Sequence, residues 1–132
     1  MKISFRYILN ICILTFLTFG CTEEINLPYK LYSSILNQSE NSNPVETILR
    51  NEIDISVNWT RESTGVFKGV LSKPIDLNKT TLIIQLQEGD RIPTGGFVNP
   101  TTIMINSCNR FNAYETADGM SNAVIEIKEY SE

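Results

Sequence analysis

Apolar residues in this chain recur at every second position, in runs that are rarely longer than eight residues. Ile55, Val57 and Trp59 alternate with Ser56, Asn58 and Thr60. In an extended chain successive side chains point to opposite faces, so such a run has one apolar face and one polar face. A helix of the same composition needs its apolar residues three and four apart. No segment from residue 29 onward has the length and the two-turn apolar stripe for that. The chain is therefore constrained to half-buried strands.

Alternation predicts strands over residues 54–61, 66–71, 81–87, 101–107, 110–116 and 122–130. Inward residues include Phe67 and Leu71, Leu82 with Ile84 and Leu86, Ile103 with Ile105, and Ile125 with Ile127. Two more strands are expected at 29–38 and 45–51, with a helical turn as the second choice for the latter. Between them lie turn signals: Glu62-Ser63-Thr64-Gly65, Lys73-Pro74, Glu88-Gly89-Asp90, Ser107–Asn109 and Ala117-Asp118-Gly119. Residues 91–100 hold Pro93, Gly95, Gly96 and Pro100 and are expected to form a loop. Short connections suit antiparallel neighbours, because parallel ones need long crossovers. The expectation is an all-β fold: a single small antiparallel barrel or two-sheet sandwich of seven or eight strands. A length of 132 residues allows one domain.

The first twenty residues obey a different rule. Lys2 and Arg6 give a positive start, and an apolar stretch then runs from residue 7 to 19. That is shorter than the ~20 residues a membrane-spanning helix needs, but it suits the core of a signal peptide. Gly20 and Cys21 follow, and the chain turns polar at Thr22, Glu23 and Glu24.

This N-terminus resembles a bacterial lipoprotein signal of the Bacteroidota type, with Leu17-Thr18-Phe19-Gly20-Cys21 as its lipobox and Glu23-Glu24 like the surface-export signals of that group. Thr18 stands where such boxes favour Leu. The resemblance implies cleavage after Gly20 and diacylglyceryl and acyl chains on Cys21. Residues 1–20 would be the signal peptide, 21–28 the lipidated cysteine and a short tether, and 29–132 the β domain. It further implies a place in the cell envelope, in the outer membrane, facing either the periplasm or the surface, with the membrane as partner through the lipid on Cys21. Two acyl chains hold a protein firmly where one does not.

A second resemblance covers residues 29–71. Tyr29 to Ser39, Pro44-Val45, Val57-Asn58-Trp59-Thr60-Arg61 and Gly65-Val66-Phe67 look like a group of small Bacteroidota proteins. It implies a compact all-β domain and carries no activity with it.

Charge and residue types exclude several chemistries. Without Lys2 and Arg6 the processed chain carries nine basic residues against fifteen acidic ones, a net −6. An acidic domain repels phosphate backbones, so no nucleic-acid partner is expected. The sequence has no histidine, which removes Ser-His-Asp and Cys-His catalysis. Cys12 lies in the signal and Cys21 would carry lipid, leaving Cys108 without a partner for an internal disulfide. No P-loop, dinucleotide fingerprint or C-x-x-C is present, and no metal or cofactor is expected.

Three functions stay in view. The first is a non-enzymatic structural or interaction module anchored to the envelope, with an envelope protein or glycan as partner. The second is an accessory lipoprotein that binds a glycan or peptide through the 91–100 loop, where an exposed Phe97 would touch the ligand. Trp59, alternating with Ile55 and Val57, is expected in the core instead, while Tyr32, Phe67, Phe111, Tyr114 and Tyr130 are the other aromatic candidates beyond the tether. The third is a hydrolase working with carboxylates alone, for which Glu88 and Asp90 are the nearest pair.

Overall fold

The computed structural model describes residues 27–86 and 91–131. Cys21, Glu88 and Asp90 therefore lie outside the described residues. Within them the chain forms nine strands: β1 (Tyr29–Gln38), β2 (Val45–Asn51), β3 (Val57–Ser63), β4 (Val66–Leu71), β5 (Thr80–Leu86), β6 (Arg91–Asn99), β7 (Thr102–Asn109), β8 (Asn112–Thr116) and β9 (Met120–Tyr130). They make two antiparallel sheets, β2-β1-β9-β5 and β3-β4-β7-β6, with β8 added to β7. The sheets pack as a sandwich and do not close into a barrel.

The inward faces of β4, β7 and β9 are those the alternation predicts, whereas on β1 the opposite phase, Tyr32 and Leu36 rather than Leu31 and Ile35, faces the core. Ala123, Ile125 and Ile127 of β9 are fully buried, as are Ile103 and Ile105 of β7 and Phe67 of β4. Tyr32 and Leu36 of β1 complete the inner face of the first sheet. Burial of this kind stabilises by about 25 cal/mol per Å² of apolar surface, so one core of Ile, Leu and aromatic residues holds the two sheets together. Trp59 is buried as expected, and the space for its indole comes from across the ladder. Its register partner is Gly69, where a Cβ would come within 2.8 Å of the Trp59 ring.

Three local expectations are corrected. Residues 91–99 are not a loop but the edge strand β6, paired with β7 from Arg91↔Asn109 to Asn99↔Thr102. Proline and glycine lower strand propensity, yet an edge strand needs only one hydrogen-bonded side, so Pro93 opposite Ser107 is tolerated there. This strand carries the count from eight to nine. Ser107–Asn109 is not a turn; β7 runs through it, and the chain reverses at Arg110 and Phe111. The strand expected from residue 54 starts at Val57. Before it the Asn51 side chain bonds both the carbonyl and the N–H of Ile55, at 2.8 and 3.2 Å, and makes a corner. Ile53 and Ile55 still drop into the core from that corner, which is why the alternation looks unbroken.

Tracing the registers gives the sandwich two ends. At the entry end β1 begins and β9 finishes as the pair Tyr29↔Tyr130, β2 finishes at Asn51, and β5 begins at Thr80. At the far end Gln38 pairs with Met120, and the β3–β4 turn closes at Ser63↔Val66.

Candidate functional site

The entry end carries an open groove of about 730 Å³. Three cations, Lys30, Arg50 and Lys79, and three carboxylates, Glu52, Asp76 and Glu129, line it together with Tyr29 and Tyr130. Each comes from a strand end or a turn. Lys30 and Arg50 sit on the neighbouring strands β1 and β2, and Glu129 and Tyr130 close β9. Asp76 and Lys79 belong to the turn before β5, where Lys79 N–H donates to the Asp76 carbonyl at 3.1 Å.

The rim is tightly fastened. Glu52 N–H donates to the Leu31 carbonyl, and Leu31 N–H donates to the Glu52 carboxylate, both at 2.9 Å. Arg50 also bonds that carboxylate. The Leu31 N–H, then Arg50, holds the Glu52 carboxyl below its ordinary range, so Glu52 is an anionic fastener and is unsuited to act as a general acid. The Ser131 N–H and hydroxyl both donate to the Pro28 carbonyl at 3.1 Å. The rings of Tyr29 and Tyr130 meet edge to face at 5.5 Å, and the Lys128 ammonium lies 5.3 Å from the Tyr29 centroid. The Glu126 carboxylate, 3.1 Å from that ammonium, raises the Lys128 pKa.

The far end is built on Gln38, a buried amide with every contact used. Its nitrogen donates to the carbonyls of Glu40 and Ser42 at 2.7 and 3.1 Å, and its oxygen accepts from Gly119 N–H at 2.6 Å. Val45, at the start of β2, lines the surface beside Gln38 and is 67% exposed, and Phe111, on the β7–β8 turn at this end, is 84% exposed.

The residues singled out in the sequence are scattered by the fold. Phe97 is not an exposed loop aromatic: it lies on β6 opposite Ile103 and packs, half-buried, against the core. Cys108 is half-buried on β7, with Ile92 of β6 and Thr116 of β8 as register partners. Among the described side chains Phe111 is the aromatic most exposed to solvent, with Tyr130 next, and the side chain of Tyr114 lies outside those described. The entry groove has no single-segment signal, since its lining comes from four separated stretches. Among the described residues no group of three or more Asp, Glu, Cys or His is placed to hold a metal ion. Comparison with protein-family models, curated proteins and solved structures returns no match.

Proposed function

We propose that this chain is a lipid-anchored protein of the cell envelope whose β sandwich acts as a non-enzymatic structural or interaction module. One observation carries the reading: a positive start, an apolar core and Gly20-Cys21 precede a domain whose first described residue is Leu27. Leu27 is six residue steps from Cys21, so at about 3.3–3.6 Å per step the entry end stands within ~20 Å of any lipid on Cys21. The far end, with Phe111 and Val45 bare, is then the end turned outward to a partner in the envelope. Glu23 and Glu24 support a place in the outer membrane, facing the surface.

The test is Cys21→Ser in the native host. The unaltered protein is expected to incorporate labelled fatty acid and to sediment with outer membranes. The variant is expected to lose the label and move to the soluble fraction. A variant that keeps both properties overturns the reading. Protease treatment of intact cells reports which side of the membrane the sandwich occupies.

A further inference from the structure

We propose that the entry groove is a docking surface for the phospholipid headgroups of the membrane that holds the anchor, so that the sandwich stands on its entry end. This rests on the anchoring reading above and adds an orientation to it.

Three observations carry the inference. The first is reach. Pro28 is fastened to Ser131, and β1 to β9 by the Tyr29↔Tyr130 pair, so the chain leaves the sandwich at a fixed point on the rim of the groove. The seven residue steps from Pro28 to Cys21 keep the groove within ~25 Å of the bilayer. Strand β9, with 11 residues, is about 36 Å long at ~3.3 Å per residue, so the far end lies well beyond it.

The second is charge. The processed chain carries a net −6, and an acidic protein is repelled by anionic lipid. The lining of the groove escapes this, because Lys30, Arg50 and Lys79 balance Glu52, Asp76 and Glu129. A surface bearing both signs matches a headgroup that itself carries a phosphate and an ammonium.

The third is amphipathic cover. Tyr130 and Leu77, about two-fifths exposed, project at this end beside the balanced charges, Leu77 from the turn between Asp76 and Lys79. Tyrosine suits a boundary where one side is apolar and the other wet. Lysine and arginine stems lie along apolar surface while their heads stay in water.

The experiment places a fluorophore on a single cysteine in the full lipidated protein, with Cys108→Ser as background. Leu77→Cys marks the entry end and Ser42→Cys the far end. Each protein is reconstituted in vesicles of phosphatidylethanolamine and phosphatidylglycerol containing a headgroup spin label. The expected result is several-fold stronger quenching at position 77 than at 42, together with shielding of position 77 from soluble iodide. Equal quenching at the two positions overturns the proposal. So does a position 77 that is shielded from iodide yet unquenched by lipid, because the groove is then covered by the segment before Leu27 or by protein. The intact mass separates the two readings. An N-terminal cysteine without acyl chains refutes the anchor itself, whereas an acylated protein with an unquenched position 77 refutes only the docking.

Discussion

Arg61 grips Asp118 with two parallel hydrogen bonds, Nε to Oδ1 at 2.9 Å and Nη2 to Oδ2 at 2.7 Å, across 57 residues of sequence. The same Oδ1 accepts from Gly65 N–H at 2.9 Å. Arg61 belongs to β3 and Asp118 lies two residues before β9, so the pair pins one sheet to the entry of the other at the far end. The bond from Arg61 is the main reason the Asp118 carboxyl stays below its usual range. A planar guanidinium meeting a carboxylate in this fork is stronger and more directional than an ordinary surface pair.

Acid should therefore loosen the far end. A carboxyl with a depressed folded-state pKa stabilises the fold above its unfolded value, near 3.8, and that contribution is lost as pH falls through the lower folded value. Asp118→Asn is expected to lower Tm at pH 7 by on the order of 5 °C and to make the loss of stability below pH 3.8 shallower. Urea midpoints at neutral and acid pH read both effects. An acid limb of unchanged steepness would count against this role.

Tyr32 titrates in the other direction. Its hydroxyl is buried without a hydrogen-bond partner. Burial first, and then the Glu46 carboxylate, push its pKa well above the ordinary 10.0. A raised folded-state value leaves the stabilisation complete below pH 10.0 and removes it as pH rises beyond that point. Tyr32→Phe deletes an unpaired buried hydroxyl while keeping the ring, so it is expected to be neutral or stabilising at pH 7. It should also flatten the alkaline limb of the stability curve. A clear fall in Tm at pH 7 would mean that the hydroxyl makes a bond in solution.

The Trp59–Gly69 pair has a volume test. Adding a Cβ at residue 69 forces it to within 2.8–2.9 Å of the indole and of Val57. Gly69→Ala is expected to cost about 1–3 kcal/mol. It should shift the emission of Trp59, the single tryptophan, to longer wavelength. Combining it with Trp59→Leu should cost less than the sum of the two changes, because the smaller side chain gives the methyl room. Strict additivity in denaturation midpoints would show that the two positions do not share space.

Two glycines with positive φ separate strain from crowding. Gly119, at φ +100°, has open space where its Cβ would go. Gly65, at φ +66°, has backbone atoms of Ala117 and Ser107 at 2.5 and 2.7 Å from that point. Gly119→Ala is expected to pay backbone strain alone, about 1–2 kcal/mol. Gly65→Ala should cost clearly more and weaken amide-exchange protection at Ser107 and Ala117, whose N–H groups bond around this turn. Equal costs would show that the backbone relaxes away from the methyl.

Alternation along the chain determined that most segments are strands and, on β4, β7 and β9, which way they face. Ile103 and Ile105, Ile125 and Ile127, and Phe67 with Leu71 are read correctly because a strand's two faces are a local property of bond geometry. Tertiary structure alone decided who pairs with whom. Nothing around Pro93, Gly95 and Gly96 marks a strand; β6 exists because β7 offers it a ladder. Nothing around Gln38 announces that its amide will hold Gly119, or around Arg61 that it will find Asp118. The entry groove likewise gathers side chains from four stretches that meet only after β1 and β9 have paired. A two-residue period is the same whichever strand lies alongside. Pairing is settled by the burial gained and the loop entropy lost when distant segments close on each other, and neither quantity belongs to any one segment.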